Sequence, residues 1–293
     1  FSQSRSNFRV GVAEPYLFGR NLTGRAGLFN QRTKQSSVTI NKTGFDLGIS
    51  FDAAKDYYHG VGYELSQSKT TEKSTTATSI TGENGAQILT SAASYTVGQD
   101  RLDNRFDPTE GTLLELRQEL AGIGGDAKYY KVTGRAAYYK PINFNTFFFG
   151  VKGRASHVAG LGEKVTQSQR FFLGGRDVRG FALSGIGPRD TGSTAAVGGN
   201  TLVTGTVEVL SRLGISKDLN MRWTLFSDFG SVWDTDYPSG VTGASDKSIR
   251  TSVGVGLLWD TVLGPLSFYW ANPTSKKSYD KTKTFQFTIG TRL

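Results

Sequence analysis

Hydrophobic and polar residues alternate with a period of two along most of the chain. In residues 147–155, Phe147, Phe149, Val151 and Ala155 fall on one face, and Gly150, Lys152 and Arg154 on the other. In residues 130–138, Tyr130, Val132, Ala136 and Tyr138 oppose Lys131, Thr133 and Arg135. In residues 113–122, Leu114, Leu116 and Leu120 oppose Glu115, Arg117 and Glu119. Side chains of a strand point alternately to its two faces, so the pattern predicts strands with one apolar and one charged face. About thirteen are expected, near 7–18, 21–33, 43–53, 57–71, 86–101, 111–123, 127–142, 145–160, 200–212, 221–234, 248–260, 264–272 and 283–293. No helical segment of note and no domain boundary interrupts them.

A soluble sandwich also alternates. Three features favour a transmembrane antiparallel β-barrel. The segments are long, about 10–15 residues against a usual strand of about 5–6. Their polar faces carry Arg, Lys and Glu at successive alternate positions, as a wet lumen requires. Aromatics such as Tyr57, Tyr58, Tyr129, Tyr130, Tyr138, Tyr139, Trp233 and Trp259 sit near strand ends, as interfacial girdles do. Short links (107–111, 141–145, 263–265) alternate with long polar ones (71–86, 235–247), again the habit of an outer-membrane barrel. We therefore expect an all-β fold, one barrel domain over residues 1–293, with a long inward-folding loop at about 161–200.

Composition adjusts this picture only slightly. No run reaches the roughly 18 apolar residues of a membrane helix, which says nothing against a barrel. The net charge of +9 is spread one or two positive residues per segment rather than blocked into runs. That suits a polar lumen and anionic lipid or lipopolysaccharide, and makes a poor nucleic-acid footprint. The chain has no cysteine and only two histidines, His59 and His157, in separate segments. Surface or girdle positions fit them better than a ligand pair. No catalytic, cofactor-binding or metal-ligating constellation stands out, and the chain reads as a non-enzyme.

The most informative stretch lies inside the longest connection. Residues 171–187 read FFLGGRDVRGFALSGIG, with five glycines and the tetrad Val178-Arg179-Gly180-Phe181. A long Gly- and Arg-bearing connection in a strand protein is more often functional than idle. Two carboxylates follow on consecutive strands. Glu208 shares a face with Leu202, Thr204 and Thr206, opposite Val203, Val207 and Val209; Asp228 opposes Trp223, Leu225 and Phe229. Both should face the lumen, where they repel unless a cation sits between them. Arg179 could fold back to meet both in a charge-assisted link. Spacing alone also allows three separately solvated lumenal charges. Arg176 has no such implied partner.

These residues resemble the BamA family within the outer-membrane protein-assembly superfamily. The tetrad with Gly187-Pro188 behind it is similar to the family's VRGF/Y loop. Residues 226–234, with Phe226, Asp228 and Gly230, resemble its F-x-x-D-x-G strand motif. Residues 253–273 resemble the penultimate hairpin, 285–290 with Phe285, Phe287 and Gly290 the terminal strand, and 103–111 a periplasmic turn. The resemblance covers nearly the whole chain. It implies a sixteen-strand barrel of which about thirteen strands are visible, so that Phe1 falls near the fourth strand, with further strands and the POTRA domains expected upstream. Leu293 departs from the family's usual aromatic ending. For the residues, the resemblance implies that Arg179 contacts Glu208 and Asp228, and that the terminal strand forms half of a lateral seam weakened by Gly290. For function, it implies insertion and folding of other outer-membrane proteins in a Gram-negative outer membrane. The implied partners are unfolded outer-membrane proteins, accessory lipoproteins of the assembly complex, and outer-membrane lipid and lipopolysaccharide. A polypeptide-secreting transporter of the same superfamily is the alternative.

Overall fold

The computed structural model describes residues 4–34, 38–72, 83, 85–105, 107–143, 146–212, 221–237, 239–261 and 264–289. Gly290 and Leu293 lie outside the described residues, as do much of the expected 71–86 loop and parts of the links at 141–145 and 263–265.

One sheet of thirteen antiparallel strands runs in chain order. The strands are β1 (Ser4–Glu14), β2 (Thr23–Lys34), β3 (Val38–Ala54), β4 (Tyr57–Glu72), β5 (Gln87–Asp100), β6 (Gly111–Ala121), β7 (Tyr129–Asn143), β8 (Phe147–Gly160), β9 (Thr201–Arg212), β10 (Met221–Trp233), β11 (Arg250–Thr261), β12 (Gly264–Ser275) and β13 (Phe285–Ile289). Each matches one expected segment. β1 to β12 run from 11 to 17 residues, enough to cross a bilayer at a tilt. Among the described residues β1 and β13 do not pair with each other.

One difference has a clear cause. The alternation carries the last strand back to residue 283, but the chain bends at Thr284, and Thr282 and Lys283 pair with Phe181 and Gly180 of the long loop instead. Polarity cannot distinguish a strand pairing with the wall from one pairing with a loop.

The register keeps the two faces apart across the whole sheet. On the outer face Val207 sits between Val151 and Ser227, Val209 between Phe149 and Leu225, and Val255 between Leu225 and Trp270. Val10, Leu28, Ile49, Leu116, Leu225 and Phe287 on this face are all exposed. A contiguous apolar face of this extent is what lipid would cover. The inner face, covered in part by residues 161–200, holds the charges. Arg135 faces Glu115 at 3.6 Å, Arg117 lies 3.4 Å from Glu119, and Lys131 Nζ donates to Gln169 at 2.8 Å. Both histidines lie on the outer face, where His59 stacks on Phe51 and meets the Tyr95 hydroxyl, and His157 meets Thr201.

Leu225→Arg, near the middle of β10, should therefore cost roughly 2–4 kcal/mol when unfolding is followed from lipid vesicles. Finding no loss would mean that β10 is out by one residue, because a single slip exchanges the two faces.

Candidate functional site: an arginine anchor beneath the inward loop

The connection between β8 and β9 spans residues 161–200 and turns back over the inner face. Its apolar residues explain the path. Leu173, Val178, Phe181 and Ile186 pack with Leu202 of β9 and Val232 of β10 in a buried cluster. Gly230 permits the approach: a Cβ there would lie 3.0 Å from both Leu173 and Val178. Gly180 has φ +88°, a conformation few other residues tolerate, which turns the chain directly after Arg179. Beside the tetrad, Arg154 of β8 donates to Asp177 at 3.2 Å.

Arg179 is buried and grips Asp228 three times. Its backbone N–H donates to Oδ2 at 2.9 Å, Nε to Oδ2 at 2.7 Å and Nη2 to Oδ1 at 2.7 Å. Thr206 Oγ1 donates to Asp228 Oδ1 at 2.9 Å, completing the shell of a carboxylate with no solvent exposure. The two parallel N–H bonds to one carboxylate use the planar fork that lysine lacks. Phe226 lies beneath, its ring centre 3.3 Å from the guanidinium carbon, with Tyr269 at 4.9 Å. The two rings meet edge to face at 82°, and both lie beside the charge.

The two carboxylates are unequal partners. Glu208 Oε2 stands 3.8 Å from Arg179, while Glu208 Oε1 accepts from Lys152 of β8 at 3.1 Å. The structure thus brings together Val178, Arg179, Gly180, Phe181, Glu208, Asp228, Phe226 and Gly230. Lys152 is the member that sequence reasoning did not connect to Glu208. Its inward parity was readable, but a forty-residue insertion hides that β8 and β9 are neighbours. Phe285 and Phe287 lie apart from this site, on the outer face, in ring contact with Trp270 and Phe268.

A second buried arginine was not foreseen. Arg250, at the start of β11, is almost fully enclosed. Its Nε donates to Asp280 at 3.0 Å, Nη1 to the Ser248 carbonyl at 2.6 Å and Nη2 to the Tyr279 hydroxyl at 2.9 Å, with Asp246 at 3.2 Å. Burial pushes Tyr279 up to about 12, aided by its hydrogen bond to Asp246. Burial also opposes ionisation of Asp246, but bonds from Ser248 and Tyr279 and the charge on Arg250 outweigh it and hold the carboxyl well below its usual range. Further links tie the remaining loops together. Glu83 accepts the Gln167 N–H at 3.0 Å, and Asp236 accepts the Val165 N–H at 2.7 Å and the Asn200 amide at 3.1 Å.

This arrangement can anchor a loop within a barrel wall; it offers no nucleophile paired with a base. Among the described residues no three His, Cys, Asp or Glu side chains group to hold a metal ion.

The Omp85 superfamily domain matches residues 1–293. The outer membrane protein assembly factor BamA of Neorickettsia risticii is 30% identical over 289 residues, covering 97% of this chain and 39% of the relative. That of Neisseria meningitidis serogroup B is 30% identical over 220 residues, covering 66% of this chain and 28% of the relative. This chain therefore spans well under half the length of these curated relatives. The crystal structure of BamA from Haemophilus ducreyi lacking POTRA domains 1-3 matches with a TM-score of 0.83 at 24% identity, over 98% of this chain and 62% of that one. This likeness extends to the fold.

Proposed function

Since this chain belongs to the Omp85 superfamily, we propose that it is the membrane wall of a BamA-type assembly factor, which inserts and folds other outer-membrane proteins in the bacterial outer membrane. The work is physical rather than covalent. An unfolded strand entering lipid exposes backbone N–H and C=O groups, and each unpaired one costs several kcal/mol. A sheet edge held open in the membrane lets the client pair those groups as it enters, by β-augmentation.

The observation that carries this reading is the inner loop pinned to the wall by the buried Arg179–Asp228 pair, within a chain that matches the Omp85 domain over its whole length. The anchor rests on β9 and β10, and Gln286 of β13 reaches the same loop at the Phe181 carbonyl, so the wall and its last strand share one support. The implied partners are unfolded outer-membrane proteins, accessory lipoproteins of the assembly complex, and outer-membrane lipid and lipopolysaccharide.

The test uses the full-length protein reconstituted in lipid vesicles. A denatured client barrel should fold into those vesicles several-fold faster than into empty ones, read by its protease-resistant fraction over time. No acceleration, together with client-dependent conductance, would favour the polypeptide-secreting transporter instead.

A further inference from the structure

We propose that the inward loop also positions the terminal strand, with Gln286 as the positioning residue, so that the Arg179 anchor is felt at β13. The importance of that strand for assembly rests on the assembly reading above; the coupling itself does not.

Among the described residues β13 pairs with β12 over five positions, Leu266↔Ile289 to Trp270↔Phe285. One more bond, from the Ala271 N–H to the Thr284 carbonyl at 2.9 Å, extends the ladder, and then the chain leaves it. β12 continues to Ser275, but the residues leading into β13 do not follow it.

Those residues pair with the loop. Thr282 and Lys283 lie opposite Phe181 and Gly180. The Ala182 N–H donates to the Lys281 carbonyl at 2.9 Å, and the Lys281 N–H to the Gly185 carbonyl at 2.8 Å. Within β13, Gln286 is the inward, buried residue between Phe285 and Phe287, and its Nε2 donates to the Phe181 carbonyl at 2.7 Å. Phe181 is two residues from Arg179 and fully buried, so its position follows from the anchor and the cluster around it. The path from Asp228 to β13 is continuous: carboxylate, Arg179, the Gly180–Phe181 backbone, Gln286.

If Gln286 were only a satisfied polar side chain, removing its donor would act locally and independently of Arg179. Amide hydrogen exchange of the full-length protein in vesicles separates the two cases. Gln286→Met keeps the length and removes the donor. Exchange across β13 and residues 281–283 should rise about fivefold, the factor one net hydrogen bond is worth, with β9 and β10 unchanged. Arg179→Ala should accelerate the same β13 amides, although its side chain touches none of them. The double variant should be no faster at β13 than Arg179→Ala alone. Unchanged β13 exchange in either single variant, or strictly additive effects in the double, would overturn the coupling. Should Arg179→Ala fail to insert, Asp228→Asn, which loosens the same anchor from its other side, takes its place in both the single and the double comparison. Faster β13 exchange with unaltered client folding would uphold the coupling and count against the assembly reading instead.

Discussion

Arg179→Ala should release the inward loop and cost about 3–5 kcal/mol, the range for removing one partner of a buried ion pair. The full range applies because both side chains are almost completely enclosed, 6% exposed for Arg179 and 0% for Asp228. Asp228 would keep only the backbone N–H of residue 179 and the Thr206 hydroxyl. Phe226 and Tyr269 would lose the cation beside them. Arg179→Lys should recover little, since an ammonium cannot span both carboxylate oxygens in one plane. Arg176→Ala, at an exposed position three residues earlier, should be close to neutral. Glu208→Gln should cost less than Asp228→Asn, because Glu208 is the distant partner and shares itself with Lys152. Thermal unfolding in detergent and client folding in vesicles measure these. Equal losses at Arg176 and Arg179 would remove the anchor from the account.

Asp280→Ala should have the next largest effect. It leaves Arg250, 1% exposed, without the one fully buried carboxylate that faces it. The Ser248 carbonyl and the Tyr279 hydroxyl are neutral, and Asp246 is partly exposed. A cost approaching 3–5 kcal/mol is expected, reduced to the extent that Asp246 moves in. The loss should appear as a lower midpoint of thermal unfolding and early proteolysis between β12 and β13. Mild acid should leave the Asp246 contact in place. The folded Asp246 carboxyl is held below its ordinary value, so its contribution is present above about pH 4 and fades only as pH falls through that lower folded value. Protonation of Asp246 already at pH 5, followed by its carboxyl chemical shift, would contradict this.

The wall was legible because lipid on one side and charge on the other leave a period-two record in every strand. Lys131, Arg135, Lys152 and Arg154 could be assigned a face before any partner was known. The Arg179 pairing was only half legible. Parity turned Glu208 and Asp228 inward, and their adjacency required a cation, but nothing in the spacing ranked one above the other. The ranking comes from Lys152, which reaches Glu208 across a strand boundary that residues 161–200 conceal. Arg250 and Asp280 were not legible as a pair. They lie thirty residues apart, and Asp280 belongs to a connection with no period to read. The departure of residues 282–283 from the wall was invisible for the same reason, since edge-strand residues look alike whichever chain they pair with.

The ties from Glu83 to Gln167, from Asp236 to Val165 and Asn200, and from Lys281 to Ala182 and Gly185 draw four separate stretches into one cap. Seen from above, that cap is a mosaic. No single peptide copied from it reproduces its surface, so an antibody able to recognise the assembled protein must read several stretches together. A substitution on one loop can then erase an epitope whose contact residues belong to another.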